Sequence, residues 1–429
     1  MSFNSFINYI DPGTGSMLLT VILGLATTLV FVFRGFLIKF KYKILGGKTD
    51  ADLSRKDIIL FSDHKRYWNV FRPLCDELEK SGADCAYWTM SPDDPGLQAG
   101  YDHIKCEFIG EGSKGFARLN TMKAYICTAT TPGLDVLQWK RSKDVNWYVH
   151  IYHAAGDNLG YRMFALDYYD AVLETGDVQT RGIRTLESLR GLPAKELVIA
   201  GSTYLDDMKA RADALKPVTD NNKGITVLLA PSWGESSILS KYGAQFIKAL
   251  TATGYNIIIR PHPQSLTAQK EMLDSLMTEF PENSSLSWNF DNDNFNVLSR
   301  SDIMISDYSG VIFDYTFIFD RPVMFADVSM NRAPYDSAWV DYVPWTLDIL
   351  PCLGKKLDSE DFPRMKEVID EVLSSDIYKE GREKARNEAW QFIGEGARRS
   401  AQYLVSKLSD LKADRNEKAD TSVLRGDRK

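Results

Sequence analysis

Short apolar runs alternate with longer stretches of helical periodicity between residues 57 and 200. Apolar runs of this length, bounded by turn residues, are typical of buried strands. The predicted strands are 57–61, 85–88, 124–128, 147–152, 171–174 and 197–200, and the predicted helices include 67–80 and 179–189. This alternation favours a parallel, doubly wound α/β sheet, although the pattern leaves the order of the strands open.

A polar, turn-rich segment at residues 216–224 interrupts this pattern, and the alternation resumes behind it. The predicted strands are then 225–230, 256–260, 285–288 and 303–305, with one more after Pro322. Helices that end near 253 and 279, span 295–300 and begin near 310 are predicted between them. We therefore predict two doubly wound domains, residues 56–216 and 217–411.

The carboxyl-terminal part is predicted to form helices at 359–373 and 377–411. The second of these is long enough to run back across both domains, and Gly394 and Gly396 would weaken or kink it. Residues 412–429 are charged and nearly free of apolar side chains, which predicts a disordered tail.

The amino-terminal part, residues 1–55, has a different pattern. Residues 12–33 contain no charge and are long enough to cross a membrane as a helix, whereas the basic residues Arg34, Lys39 and Lys41 follow directly. No basic residues precede the apolar run and no small-residue cleavage site follows it, which argues against a cleaved signal peptide. We predict a single-pass membrane anchor with the following domains on the cytoplasmic face. A buried or re-entrant hairpin is the alternative.

The composition is that of a globular protein of two domains, with 429 residues, 44% of them hydrophobic. The formal net charge of -7 argues against nucleic acid as the main partner. The five cysteines are scattered, which indicates a reducing compartment rather than a disulfide framework or a zinc site.

A polar turn at residues 306–310 lies between a predicted strand and a predicted helix. Helix amino termini in such βαβ units present free N–H groups to anions, so the turn is a candidate phosphate site. Ser309 is predicted to cap the helix and to bind phosphate oxygens, and Gly310 permits close approach. Asp307 is predicted to orient a hydroxyl, a backbone turn or an imidazole, whereas Asp314 would reach a ribose or accept backbone N–H groups.

His262 follows another predicted strand and stands between two prolines, which hold its backbone in one conformation. We predict that it contacts a diphosphate, either as a cationic clamp or as the acid that protonates the leaving phosphate. Arg260 would assist it or be a surface ion. Ser232 and Trp233 form a further turn at a strand end of the same domain.

The first domain offers polar groups at three strand ends: residues 62–66, the segment around His153, and residues 201–203. Alternation along the strand puts His150 and Tyr152 on one face and leaves His153 at the turn, free to face a cleft. An imidazole of ordinary pKa suits a general base for a hydroxyl group. A buried histidine bonded to a backbone carbonyl is the alternative for His153, and Ser202 is predicted to cap a helix.

Several of these segments together resemble the CDP-glycerol glycerophosphotransferase family of teichoic acid synthesis. The resemblance rests on Arg-Pro-His-Pro at 260–263, Ser-Asp-Tyr-Ser-Gly-Val-Ile-Phe-Asp at 306–314, Arg-Pro-Val at 321–323, Ala-Pro-Ser-Trp at 230–233 and the stretch 394–404. It covers the second domain well and the first loosely.

The resemblance implies a GT-B fold, in which two Rossmann-like domains face a cleft and the second holds the nucleotide. It implies transfer of glycerol phosphate from CDP-glycerol to a hydroxyl of a lipid-linked acceptor, with CMP released and without metal or cofactor. His262 then matches the diphosphate-contacting histidine of the family and Ser309 its phosphate-binding serine. Asp307 and Asp314 match its motif aspartates, and His153 matches the histidine proposed as base.

Two positions depart from the family pattern. The family's first-domain histidine is usually followed by a lysine, whereas here Asp157 is the nearby charged residue. Gly234 follows Trp233 where an arginine is common.

Three functional hypotheses follow. The leading hypothesis is a membrane-anchored transferase that uses a CDP-activated polyol phosphate. A GT-B glycosyltransferase or an epimerase with a UDP-sugar is the second. A catalytically silent nucleotide-binding scaffold in envelope polymer assembly is the third.

Overall fold

The computed structural model describes residues 55–216, 224–326 and 329–426, with side chains described as far as residue 415. The predicted membrane segment at residues 12–33 therefore lies outside the described residues. Within the described ranges, no helix has the length and apolarity that a membrane crossing requires.

A sheet of seven parallel strands, with the order β3-β2-β1-β4-β5-β6-β7, forms the first lobe. The predicted strands and helices of this half are confirmed to within a few residues. The strands are β1 (Lys56–Ser62), β2 (Cys85–Thr89), β3 (Ile104–Phe108), β4 (Ala124–Ala129), β5 (Val145–Ile151), β6 (Ala171–Glu174) and β7 (Glu196–Ile199). The helices are α1 (Trp68–Glu79), α2 (Ser113–Leu119), α3 (Val178–Arg190) and α4 (Thr203–Asp213). Ser202 caps α4 as predicted, since its hydroxyl accepts the Leu205 N–H at 3.2 Å.

The second lobe has six parallel strands in the order β10-β9-β8-β11-β12-β13. The strands are β8 (Thr226–Leu229), β9 (Asn256–Ile259), β10 (Leu286–Trp288), β11 (Ile303–Ser306), β12 (Val323–Ala326) and β13 (Gly354–Leu357). The helices are α5 (Ile238–Lys241), α6 (Gly243–Thr251), α7 (Ser265–Ala268), α8 (Lys270–Glu279), α9 (Phe295–Arg300), α10 (Val311–Phe319), α11 (Trp345–Asp348), α12 (Leu350–Leu353), α13 (Met365–Leu373), α14 (Lys379–Ala389) and α15 (Gly396–Gly426). Two parallel Rossmann-like sheets confirm the predicted fold class at this level.

The outer strands β3 and β13 are the two that the sequence pattern does not predict. Both lie at a sheet edge and carry polar side chains, as in Gly354-Lys-Lys-Leu of β13. Charged residues at an edge discourage pairing with another chain, but they also remove the apolar signal by which strands are recognised.

The strand orders indicate where each sheet would bind a ligand. Strand order reverses between β1 and β4 in the first sheet and between β8 and β11 in the second. In open parallel sheets, ligands bind beyond the carboxyl ends of the strands at such reversal points. The segments that follow these strands contain Arg66, Thr130, Ser232 and Ser309.

The two lobes share an apolar core. Ala155 and Met208 of the first lobe are buried in one cluster with Phe295, Ile312 and Phe313 of the second. Helix α10, which follows the predicted phosphate turn, therefore packs directly against the loop that carries His153.

The carboxyl-terminal region differs from the prediction in two respects. The predicted helix 377–411 is two helices, α14 and α15, and the chain breaks between them where Phe392 and Gly394 have positive φ of 52° and 80°. Asp206 fixes this break, because its carboxylate accepts the N–H groups of Gly394 and Gly396, each at 2.8 Å.

Helix α15 packs on the first lobe, where Leu404 and Leu408 join a core cluster with Ile58 and Phe71. The helix thus returns across the molecule as predicted. Its first part, up to residue 411, had been included in the predicted second domain, whereas it packs on the first lobe. The prediction of a disordered tail from residue 412 is wrong as far as Gly426, since α15 continues to that residue. Once the first turns of a helix are packed, each further turn adds hydrogen bonds without a new nucleation cost. The ion pair of Lys412 with Asp57, at 2.7 Å, further stabilises this part of the helix.

Candidate active site between the lobes

The loop that carries His153 faces the turn that carries Ser309 across the cleft. Gly310 approaches Ala154 so closely that a methyl group at position 310 would lie 3.9 Å from the Ala154 Cβ. A Cβ at Gly156, which has φ of 115°, would lie 3.0 Å from the Thr346 Oγ1 of the second lobe. The loop that carries the predicted base is therefore in contact with the predicted phosphate turn.

The environment of His153 places one of its ring nitrogens against Thr130. Its Nδ1 lies 2.9 Å from the Thr130 hydroxyl, and the Tyr67 ring packs against the imidazole at 4.8 Å between centroids. Burial and, secondly, the charge of Arg66 lower the pKa of His153 to about 4. The imidazole is therefore neutral at neutral pH. With the proton on Nδ1 and donated to Thr130, Nε2 keeps its lone pair and can accept a proton.

His262 is also neutral, but its hydrogen bond selects the other tautomer. The Gln264 N–H donates to His262 Nδ1 at 3.1 Å, so the proton of the neutral ring lies on Nε2. Burial, followed by the charges of Arg66 and Arg260, lowers the pKa of His262 to about 4. In the free protein His262 is thus a neutral hydrogen-bond donor.

The turn before α10 leaves the helix amino terminus without a side-chain cap. The N-cap residue is Gly310 rather than Ser309, and no side chain accepts a hydrogen bond from the first turn. The prediction that Ser309 caps the helix is therefore wrong. The Ile312 and Phe313 N–H groups donate to the Ser309 and Gly310 carbonyls, but a terminus without a side-chain cap keeps the partial positive charge that binds anions.

Two neutral imidazoles, one on each lobe, thus lie within electrostatic range of Arg66, and the loop that carries His153 contacts the helix terminus that has no side-chain cap. Residues 191–391 match the family model described as CDP-Glycerol:Poly(glycerophosphate) glycerophosphotransferase. The resemblance inferred from the motifs is thereby confirmed, and the match indicates a CDP-glycerol glycerophosphotransferase-like transferase.

Solved structures agree with this match at the level of the fold. The wall teichoic acid polymerase TagF is 14% identical, with a TM-score of 0.56 over 90% of this chain and 98% of that chain. A variant of TagF soaked with CDPG is 15% identical, with a TM-score of 0.54 over 90% of this chain and 98% of that chain. The UDP-GlcNAc 2-epimerase of Methanocaldococcus jannaschii is 13% identical, with a TM-score of 0.50 over 82% of this chain and 100% of that chain. No curated protein matches the sequence significantly.

Asp307, a motif aspartate of the glycerophosphotransferase resemblance, is buried and holds a backbone turn. One carboxylate oxygen accepts the Ser232 N–H at 2.8 Å and the other accepts the Ile238 N–H at 3.1 Å. Of the three roles predicted from the sequence, the structure thus selects the orientation of a backbone turn. Asp307 fixes the Ser232 loop relative to the phosphate turn.

Asp314 lies one turn into α10 and faces the first lobe. Its Oδ2 accepts the Tyr204 hydroxyl at 3.0 Å and the Asn294 amide at 3.1 Å, whereas its Oδ1 is buried without a partner among the described residues. Burial raises the pKa of Asp314 to about 7. The predicted contact with backbone N–H groups is replaced by these two side chains.

The raised pKa of Asp314 predicts a pH-dependent stability. Between about pH 4 and pH 7 the native state keeps a proton that the unfolded state has lost, so the free energy of unfolding falls as the pH rises through this window. Asp314→Asn cannot ionise and still accepts from Tyr204 and Asn294. We expect its stability relative to wild type to increase between about pH 5 and pH 8 in urea unfolding.

Asp348→Asn, at an exposed position nearby, should follow the wild type at both pH values. A difference between Asp314→Asn and wild type that does not change with pH would contradict the assignment of the raised pKa to Asp314.

The remaining predicted residues divide into two groups. Arg260 is bonded to the Asn289 side chain and donates to the Asp291 carbonyl at 2.8 Å, which ties its guanidinium to the segment after β10. Trp233 stacks near His262 with 6.4 Å between ring centroids. Trp233 is therefore part of the site, and Arg260 acts on His262 through its charge.

Two arginines of the first lobe were not selected as site residues from the sequence. Arg162 lies 5.7 Å from the Trp233 ring centroid and 5.6 Å from that of Tyr335, so it bridges to the second lobe. Arg66 lies 5.3 Å from the Tyr67 ring centroid, beside His153. The polar segment 62–66 after the first strand was the signal for Arg66. No sequence pattern indicated Arg162, because the two rings that it contacts belong to the second lobe.

Asp157, one of the departures from the family pattern, holds the lobes together. Its Oδ2 accepts the Thr346 N–H at 3.0 Å, and its own N–H donates to the Thr346 hydroxyl at 3.2 Å. This reciprocal pair fixes the loop that carries His153 against the second lobe. Among the residues the structure describes, no group of three or more His, Cys, Asp or Glu side chains is arranged to hold a metal ion.

Proposed function

We propose that this protein transfers glycerol phosphate, or a related polyol phosphate, from a CDP-activated donor to a hydroxyl of a lipid-linked cell-envelope polymer and releases CMP. The observation that carries the proposal is the contact between the lobes beside His153, where the neighbouring Ala154 lies against Gly310 of the uncapped turn. A base on one side and an anion site on the other are the two components that phosphoryl transfer to a hydroxyl requires.

In the proposed reaction the acceptor hydroxyl oxygen attacks the phosphorus that carries the glycerol. A new P–O ester bond forms, and the bond from this phosphorus to the oxygen bridging to CMP breaks. His153 Nε2 takes the hydroxyl proton, and the Nδ1–H bond to Thr130 stabilises the resulting imidazolium. CMP leaves with the electron pair of the broken bond.

The second lobe would hold the donor. The Nε2–H of His262 and the N–H groups at the start of α10 would donate to the diphosphate oxygens, whose negative charge grows on the leaving side. Bound phosphate would raise the pKa of His262 from its value in the free protein, because an opposite charge favours the imidazolium. His262 could then supply a proton to CMP as it leaves.

We further propose that residues 12–33 anchor the protein in the cell membrane, with the two lobes on the cytoplasmic side. The uncharged segment and the basic residues that follow it support this proposal. Such an anchor would keep the cleft near a lipid-linked acceptor.

The function is tested by incubating the full-length protein with CDP-glycerol and bacterial membranes that carry the acceptor. We expect CMP release together with incorporation of labelled glycerol phosphate into the lipid fraction, and no reaction without membranes. Release of UDP or a changed sugar from UDP-N-acetylglucosamine, with no turnover of CDP-glycerol, would instead identify the second hypothesis. Binding of CDP-glycerol without product in a single turnover would identify a silent scaffold.

A further inference from the structure

We propose that the guanidinium of Arg66 binds the phosphate that is transferred, and that this contact completes the donor site from the first lobe. This inference rests on the proposed function. It assigns the first lobe a part in donor binding in addition to its part in acceptor activation.

The position of Arg66 follows from three contacts. It ends the polar segment after β1, at the point where strand order reverses, and its backbone N–H donates to His64 Nδ1 at 3.2 Å. Its guanidinium lies over the Tyr67 ring, and the same ring packs against His153. Arg66 is therefore held on the side of the cleft where the base lies.

Asp63 lies within electrostatic range of Arg66 but forms no ion pair with it. Among the described residues no acidic side chain forms an ion pair with it, and its Nε is buried without a hydrogen-bond partner. A buried guanidinium N–H without an acceptor is costly, and planar guanidinium groups match phosphate oxygens well. A phosphate beside His153 would satisfy this group.

The same charge reaches both histidines, since Arg66 contributes to the lowered pKa of His153 and of His262. It thus lies within electrostatic range of both lobes' imidazoles. The phosphorus attacked by the acceptor must lie next to the base, and this is the phosphorus that carries the glycerol rather than the one in CMP. Arg66 should therefore distinguish a diphosphate donor from the monophosphate product.

The test compares the affinities of CDP and CMP for the full-length protein by isothermal titration calorimetry. We expect Arg66→Gln to weaken CDP binding by about tenfold to one-hundredfold, the range for losing a charge-assisted hydrogen bond, and to leave CMP binding unchanged. Arg66→Lys should recover part of the CDP affinity, because it keeps the charge and loses the planar fork. Arg364→Gln, at an exposed arginine, is the matched control and should bind both nucleotides normally.

A second readout is the pH dependence of kcat/KM for CDP-glycerol. Without Arg66 the pKa of His153 should rise, so the acidic limb of the profile should move to higher pH. The other polar rings near His153 are those of Tyr67, Tyr161 and His150, and the other charge near His262 is Arg260. Asp63 and His64 are the titratable groups within electrostatic range of Arg66 on its own segment. All of these residues are unchanged in the variant.

The outcomes separate this inference from the proposed function. Wild-type protein that binds neither CDP nor CMP would overturn both. Wild-type preference for CDP that persists in a folded Arg66→Gln variant, with an unmoved acidic limb, would overturn only the role of Arg66. Equal loss of CDP and CMP affinity would also overturn it, because a general disturbance of the cleft does not discriminate between the two nucleotides. If Arg66→Gln does not fold, Arg66→Lys carries the same comparison with a smaller expected loss of CDP affinity.

Discussion

His153→Gln is expected to lower kcat for glycerol phosphate transfer by about 10²- to 10⁴-fold, the range for loss of a general base. Glutamine has a similar length and can still bond to Thr130, but it cannot accept the proton of the acceptor hydroxyl. Donor affinity should change little, because the proposed donor site lies mainly in the second lobe. The measurement is the steady-state rate of CMP release with membrane acceptor, together with CDP-glycerol binding by calorimetry.

The matched control for this substitution is His103→Gln, which changes an exposed histidine of the same lobe and should leave the rate unchanged. Thr130→Val tests the tautomer, because it removes the hydroxyl beside Nδ1 and should lower the rate by a smaller factor. A folded His153→Gln variant that retained the wild-type rate would exclude His153 as the base.

Asp307→Asn is expected to lower both stability and donor affinity. The asparagine amide can accept only one of the two N–H groups that Asp307 binds, and it directs its own NH₂ at the other. We expect the free energy of unfolding to fall by about 2–3 kcal/mol, since a hydrogen bond to a charged group contributes about 1.5–3 kcal/mol. CDP-glycerol binding should weaken because the Ser232 loop is no longer fixed to the phosphate turn.

Asp302→Asn provides a control at the opposite end of the same strand. Its carboxylate accepts the Thr226 N–H at 2.8 Å, so its loss should also reduce stability. It lies away from the carboxyl ends of the strands, and donor affinity should be unaffected. Equal effects of the two substitutions on CDP-glycerol affinity would show that Asp307 has no specific role in positioning the donor site.

Much of the fold could be predicted because apolar periodicity is a local property. The buried strands β1, β6 and β11 each contain an apolar run of three or four residues, and each was located within a residue or two. The edge strands β3 and β13 were not located, and the predicted kink at Gly394 and Gly396 is a full interruption between two helices. Their conformations depend on partners distant in the chain, such as Asp206 at the break.

The residues of the site divide in the same way. His153, His262 and the turn at Ser309 could be selected because each follows a predicted strand, and strand ends are where parallel sheets bind ligands. The roles of Asp307 and Asp314 could not be assigned. A carboxylate in a motif has the same signature whether it binds substrate or backbone, and only its neighbours decide between them.

The sequence by itself determined the parallel α/β character of the protein, the positions of its candidate ligand-binding loops and a family resemblance. The tertiary structure decided what those loops do together. It brought the loop that carries His153 against the turn at Gly310, made Asp157 a link between the lobes and placed Arg66 within electrostatic range of both histidines. These are long-range relations, set by strand order and by packing of the lobes, and local sequence patterns do not encode them.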